Sequence, residues 1–174
     1  VSLRERYIKA SVGKESLLKL LSESEVAEQV YNSNAIENST LTLDETLKIL
    51  MEVDLDRYAS PREVYEAKNL AKVVEYTDKN AKKKELDSDM ILFLHKMLIS
   101  NIRDDIAGRY RNINERVRVG PHIAPISEEI GSRIFSMFIN YHSNKENDIV
   151  KKIARFHLDF EYTHPFVDGN GRIG

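Results

Sequence analysis

The chain has 174 residues, 41% of them hydrophobic and 31% charged, with 28 acidic against 26 basic side chains, a formal net charge of −2 and no cysteine. That length suits one domain with a real core, and the composition is neither disordered nor membrane-like. Disulfides, thiolate catalysis and cysteine-based metal sites are excluded, and a mainly electrostatic nucleic-acid binder would be basic, so nucleic acid is not expected as a partner.

The first residues, VSLRERYIKA, are charged and lack the apolar run of a secretory signal. No stretch of apolar residues is long enough to span a bilayer. A cytoplasmic location and no membrane partner are therefore expected. From about Lys14 to Tyr31, Leu17, Leu18, Leu21, Ala27 and Val30 form a rough helical stripe. Thr42 and Glu45 have capping-box spacing, with Leu43, Leu47 and Leu50 following. Ser60, Pro61 and Glu63 give a stronger start signal, followed by an apolar face of Val64, Ala67, Ala71 and Val74. Lys82, Lys83 and Lys84 read as a solvated helix end. Met90, Ile91, Leu94 and Leu98 mark a further helix.

Between Arg111 and Pro125 the pattern changes. Val117 and Val119 alternate with Arg116 and Arg118, a period of two, and Gly120-Pro121 is a turn signal. This is a short hairpin-like flap or an extended connecting loop. Ser127 is then expected to cap a helix with Ile130, Ile134, Phe138 and Tyr141 on one face. A last long helix begins near Asp148, carries Ile149, Ile153, Phe156 and Phe160, and ends at His164, the residue before Pro165. The fold expected is all-α with a small β flap.

Three of the seven glycines, Gly169, Gly171 and Gly174, fall in the last six residues. Their G-x-G-x-x-G spacing follows a helical stripe, with no βαβ unit, so a dinucleotide site is rejected. The chemistry of the stretch is still suggestive. Glycines let backbone N–H groups approach a ligand, a helix start favours phosphate, Asn170 can donate and Arg172 offers a planar fork for phosphate oxygens. Asp168 is a hard oxygen ligand suited to Mg2+ and His164 a base near neutral pH. The residues alone fit either a phosphoryl- or nucleotidyl-transfer site or a helix–loop–helix corner with a capping aspartate. His157, seven residues before His164, is a packed or capping residue in preference to a metal ligand, and His95 and His142 are structural or exposed.

The full string HPFVDGNGR resembles the Fic-domain motif, H-P-F-x-(D/E)-G-N-G-R-x-x-R, at every position present. Upstream, Gly108-Arg-Tyr-Arg111, Val119-Gly120 and His122-Ile-Ala-Pro125 look like the segment that forms that family's target-binding flap. Ser33-Asn-Ala-Ile-Glu-Asn38 fits its inhibitory motif, (S/T)-x-x-x-E-(G/N). The resemblance implies the Fic helical bundle with a β-hairpin flap, made of an N-terminal helical segment (residues 1–60) that holds the inhibitory motif and a Fic core (residues 61–174) cut within its signature.

It also implies a protein adenylyltransferase that moves AMP from ATP to a serine, threonine or tyrosine hydroxyl of a target protein. By motif position His164 would be the general base, Asp168 would hold Mg2+ between donor phosphates, and Gly169, Asn170, Gly171 and Arg172 would bind the nucleotide. Phe166 would anchor the loop. Val117, Arg118, Val119, Gly120 and His122 would pair with an extended target segment, and Ser33, Glu37 and Asn38 would form the inhibitory element, with Glu37 occupying the second motif arginine. That arginine would follow Gly174, so these residues by themselves are expected to bind nucleotide weakly and transfer poorly. Removal of AMP from a modified protein, and a silent nucleotide-binding regulator, stay open as alternatives, as does a homo-oligomer.

Overall fold

The structure, a computed structural model, describes residues 6, 9, 12–145 and 148–174. The chain divides into two compact units, one up to Ala71 and the other from Lys72 to Gly174.

In the first unit, α1 (Glu15–Ile36) buries Ala27 and Val30 as its stripe predicts; the side chains of Leu17, Leu18 and Leu21 lie outside the described residues. The helix stops by backbone chemistry. Asn38 takes φ 67, its N–H donates to Ala35 O, and the N–H of Ser39 donates to Asn34 O at 2.9 Å. These paired bonds satisfy carbonyls that the helix end would leave open. In α2 (Leu43–Leu50), Thr42 accepts from the Glu45 N–H while the Glu45 carboxylate accepts from the Thr42 N–H, the reciprocal cap expected from the spacing. The same exchange between Ser60 and Glu63 starts α3 (Pro61–Asn80), which crosses the boundary between the units.

The second unit adds α4 (Ser88–Ile99), capped by Asp87, then the hairpin β1 (Arg118–Val119) and β2 (His122–Ile123). The strands are antiparallel, with Arg118 opposite Ile123 and Val119 opposite His122. Gly120, at φ +58, makes the turn that a side chain would strain. Next come a 3-10 turn (Ser127–Glu129), α5 (Ile130–Ser143), α6 (Ile149–Thr163) and the short α7 (Asn170–Ile173). Ile91 of α4, Ile130, Ile134 and Met137 of α5, and Phe160 of α6 close around Phe166, which is fully buried. The motif loop thus hangs from the core by its own phenylalanine.

Two expectations need correction. Ser127 does not cap a helix: it opens the 3-10 turn, and its hydroxyl donates to the Glu128 carboxylate. The stripe of α6 is buried in its second half only, for Ile149 and Ile153 are 57% and 54% exposed while Phe160 is 2% exposed. Asp148 does cap α6, accepting from Val150 and Lys151 N–H. Among the described residues no helix is long and apolar enough to cross a membrane.

Candidate active site

The site is built on the C-terminal end of α6. A helix leaves its last four carbonyls without intrahelical donors and carries a partial negative charge there. The flap region supplies the missing donors. His122 Nε2 donates to Tyr162 O at 3.0 Å, and its ring packs against Tyr162. Arg111 Nη2 donates to Thr163 O at 3.3 Å and also to Pro125 O, and its Nε donates to His164 O at 2.8 Å. The Arg111 N–H donates to Pro165 O at 2.9 Å. Arg111 is buried and meets carbonyls alone in these bonds, so its charge is matched by the dipole of the helix end. One arginine thereby ties the end of the flap to the histidine of the motif.

His164 is the C-cap of α6 at φ 46 and ψ 62, a left-handed conformation instead of the extended one that a following proline favours. Its Nδ1 donates to Glu161 O at 3.3 Å, with a Glu161 carboxylate oxygen 3.8 Å away. Nε2 is then the basic nitrogen. Burial pushes the His164 pKa down, opposed by the hydrogen bond to the Glu161 carbonyl and by the Glu161 charge.

Beyond Pro165 the chain makes a tight loop. Asn170 folds back on it: Oδ1 accepts from the Phe166 N–H and Nδ2 donates to Phe166 O, each at 2.9 Å. The amide expected to face a ligand instead fastens the loop to itself. Asp168 and Arg172, expected to meet metal and phosphate, bond to each other at 3.0 Å. Gly169 sits at φ +84, and a Cβ there would press within 3.1 Å of both Ile99 and Leu98. His164, Asp168 and Gly169 on one short loop, and Asn170, Gly171 and Arg172 on the α7 turn that follows it, are thus gathered within nine residues. Val117, Arg118, Val119, Gly120 and His122 lie in or beside the hairpin, which is hooked to α6 two residues before His164. Ser33, Glu37 and Asn38 lie in the first unit, where Glu37 is the exposed C-cap of α1. His157 bonds to Gly174 O at 2.8 Å, and no cluster of three or more potential metal ligands exists among the described residues.

Two residues hold this loop by contacts that the sequence reading did not anticipate: Arg111, which it placed in the flap segment, and His95, which it read as structural or exposed and which is structural. His95 is fully buried on α4, accepts from the Gly108 N–H at 3.0 Å and bonds to Asp168 O at 3.1 Å. A signal existed: His95 lies four residues after Ile91 and three before Leu98, on the apolar face that the stripe defines.

Comparison with known proteins agrees with this geometry. The family model described as Fic/DOC family matches residues 85–174. Protein adenylyltransferase Fic of Nematostella vectensis is 30% identical over 83% of this chain and 34% of its own length. The protein of the same name in Drosophila melanogaster is 28% identical over 98% of this chain and 37% of its own. The chain therefore spans about a third of the length of these relatives. A Fic family protein from Desulfovibrio desulfuricans superposes with a TM-score of 0.73 at 27% identity, over 97% of this chain and 51% of that one. A Fic domain signalling protein from Bacteroides thetaiotaomicron gives 0.78 at 27% identity, over 90% and 61%. The mostly helical fold with its two-stranded hairpin is the Fic fold. By its motif loop, its fold and its match across the second unit, the chain belongs to the Fic/DOC family.

Proposed function

We propose that the protein is a protein adenylyltransferase that moves AMP from ATP to a hydroxyl side chain of a target protein. The observation that carries this reading is the motif histidine at the end of α6, on the loop that also holds Asp168 and Gly169 and beside the attachment point of the hairpin. The relatives named protein adenylyltransferase Fic support the choice of donor and group transferred.

In the reaction, an extended target segment pairs with the hairpin edge near Val119 and Gly120. The target hydroxyl oxygen attacks the α-phosphorus, its proton passes to Nε2 of His164, and the bond from the α-phosphorus to the bridging oxygen breaks to release pyrophosphate. Backbone N–H groups at Gly169 and Gly171 and the Arg172 guanidinium hold the phosphates. Asp168 would hold Mg2+, which when bound screens the donor's charge. A single carboxylate completed by substrate phosphates is enough for this ion. Glu37, exposed at the end of α1, is the inhibitory group by its place in the Ser33–Asn38 motif.

The test is label transfer from ATP carrying the label on the α- or the γ-phosphate, using the full-length protein and a protein mixture as acceptor. Label retained on protein from the α-position supports adenylyl transfer. Label from the γ-position, or none from either, overturns it.

A further inference from the structure

The motif's role in phosphate binding rests on where its N–H groups point, and a residue far away in sequence decides that for Gly169. His95 lies 73 residues before Asp168, on α4. Its imidazole is fully buried and stacks flat on Phe166, with ring centroids 3.7 Å apart and planes within 4°. The Gly108 N–H donates to Nδ1. A backbone N–H has no other role, so Nδ1 carries the lone pair and the proton sits on Nε2. Nε2–H then donates to the carbonyl oxygen of Asp168.

Gly108 is locked as well. It takes φ +72, and a Cβ there would lie 2.9 Å from Lys96 Cβ, so glycine alone lets this N–H reach the ring. The peptide between Asp168 and Gly169 is trans, as are all among the described residues, so its C=O and N–H point in opposite directions. A carbonyl directed at His95 turns the Gly169 N–H away from His95. Among the described residues that N–H donates to no protein acceptor.

We infer that His95 is a positioning residue: by holding the Asp168 carbonyl in the core, its Nε2–H tautomer presents the Gly169 N–H to an anionic phosphate of the donor. This deepens the function proposed above and rests on its placement of the phosphates. His95 touches no substrate. It acts through one peptide plane.

The experiment uses the full-length protein with His95→Phe and His95→Gln. Phenylalanine keeps the stack on Phe166 and removes both hydrogen bonds. Glutamine offers a donor to Asp168 O and an acceptor to the Gly108 N–H. The first readout is the Gly169 amide proton resonance on titration with ATP and Mg2+. It should move downfield in the parent and in His95→Gln, and stay in place in His95→Phe. The second is transfer from α-labelled ATP, where His95→Phe should lose roughly 100-fold in kcat with KM for ATP changed less than about 3-fold, and His95→Gln should regain most of it.

A Gly169 shift in His95→Phe equal to the parent's overturns the inference, as does a parent that transfers label without moving Gly169. If the parent binds ATP and moves Gly169 yet transfers nothing, the inference stands and adenylyl transfer falls. If it neither transfers label nor moves Gly169, both fall. Should His95→Phe fail to fold, the nitrogen spectrum of the parent decides, because a proton on Nδ1 of His95 would refute the tautomer.

Discussion

Arg111 donates through Nε to the carbonyl oxygen of His164 at 2.8 Å, across 53 residues of sequence. The same guanidinium reaches Thr163 O and Pro125 O, so the histidine of the motif and the end of the flap share one clamp. Lysine at this position keeps the charge and loses the fork, since one ammonium cannot satisfy three carbonyls spread around a plane. Arg111→Lys should cost about 2 kcal/mol of stability, from carbonyls left without donors in a buried place. Transfer should fall further than stability explains, because His164 loses its fixed backbone. Urea denaturation beside kcat at saturating ATP measures both, and an unchanged kcat would break the link between clamp and base.

Asp168 and Arg172 neutralise each other in this structure. The Arg172 side chain is 2% exposed and that of Asp168 is 23% exposed. Asp168→Ala leaves a buried guanidinium without its carboxylate and should destabilise by about 2 kcal/mol, short of the ~3–5 kcal/mol of a fully enclosed pair. Asp168→Asn should lose less stability, since an amide oxygen still accepts from Arg172, yet lose the dependence of ATP affinity on Mg2+ as completely as alanine does. ATP titrations with and without Mg2+ separate the two roles. Equal Mg2+ dependence in Asp168→Asn and the parent would remove the metal from Asp168.

His164 should show its chemistry in its pH profile. Burial lowers its pKa from the usual 6.5, so the ring is neutral and basic at pH 7. The acid limb of kcat/KM for transfer should have its midpoint below 6.5, and His164→Ala should abolish transfer while ATP still binds. A midpoint above 6.5, or labelling by the alanine variant, would contradict the assignment.

His95 makes a separate prediction about acid stability. Burial holds its pKa down at about 4 against the usual 6.5. An unfolded chain takes up a proton below 6.5 that the folded chain refuses until about pH 4, so stability falls as pH drops through that window. The full loss is on the order of 3 kcal/mol. His95→Gln has no such proton to take up, and its urea midpoint should decline less between pH 7 and pH 4.5. Parallel declines in the two proteins would rule this out.

Glu37→Gly tests the regulatory reading. If Glu37 occupies the arginine that the donor's γ-phosphate needs, glycine should raise transfer in the full-length protein through a corrected donor pose, with ATP affinity changed little. No activation would reduce Ser33–Asn38 to what its backbone already is, a helix end closed by Asn38 in the left-handed region.

The local features were legible in the sequence because each is written within a few residues. Thr42 with Glu45, Ser60 with Glu63 and Asp148 all begin helices by bonds that span two or three positions. The two-residue period and the Gly120-Pro121 turn fitted a hairpin and an extended connecting loop alike, and the pairing of Arg118 with Ile123 and of Val119 with His122 decides for the hairpin. Ser127 misled because a serine ahead of an apolar stripe signals a cap whether or not its hydroxyl finds another partner first. The apolar spacing of Ile149 and Ile153 continues that of Phe160, and periodicity alone does not tell which part of a helix meets a core. At the site, the motif named its residues in one stretch, yet the contacts of Arg111 with His164 and of His95 with Asp168 join distant segments, and no local spacing encodes them. Asn170 was expected to face outward by its chemistry and turned back because Phe166, in the same loop, left both an N–H and a carbonyl to satisfy.

The carbonyls of Thr163, His164, Pro165, Phe166 and Asp168 each receive a hydrogen bond from within the second unit. A backbone held at so many points has little conformational entropy left to lose when an anion arrives. Nucleotide capture should therefore be limited by diffusion and desolvation instead of by loop ordering, and the loop's amides other than those of Gly169 and Gly171, which bond to the phosphates, should exchange with solvent at much the same rates before and after ATP is added.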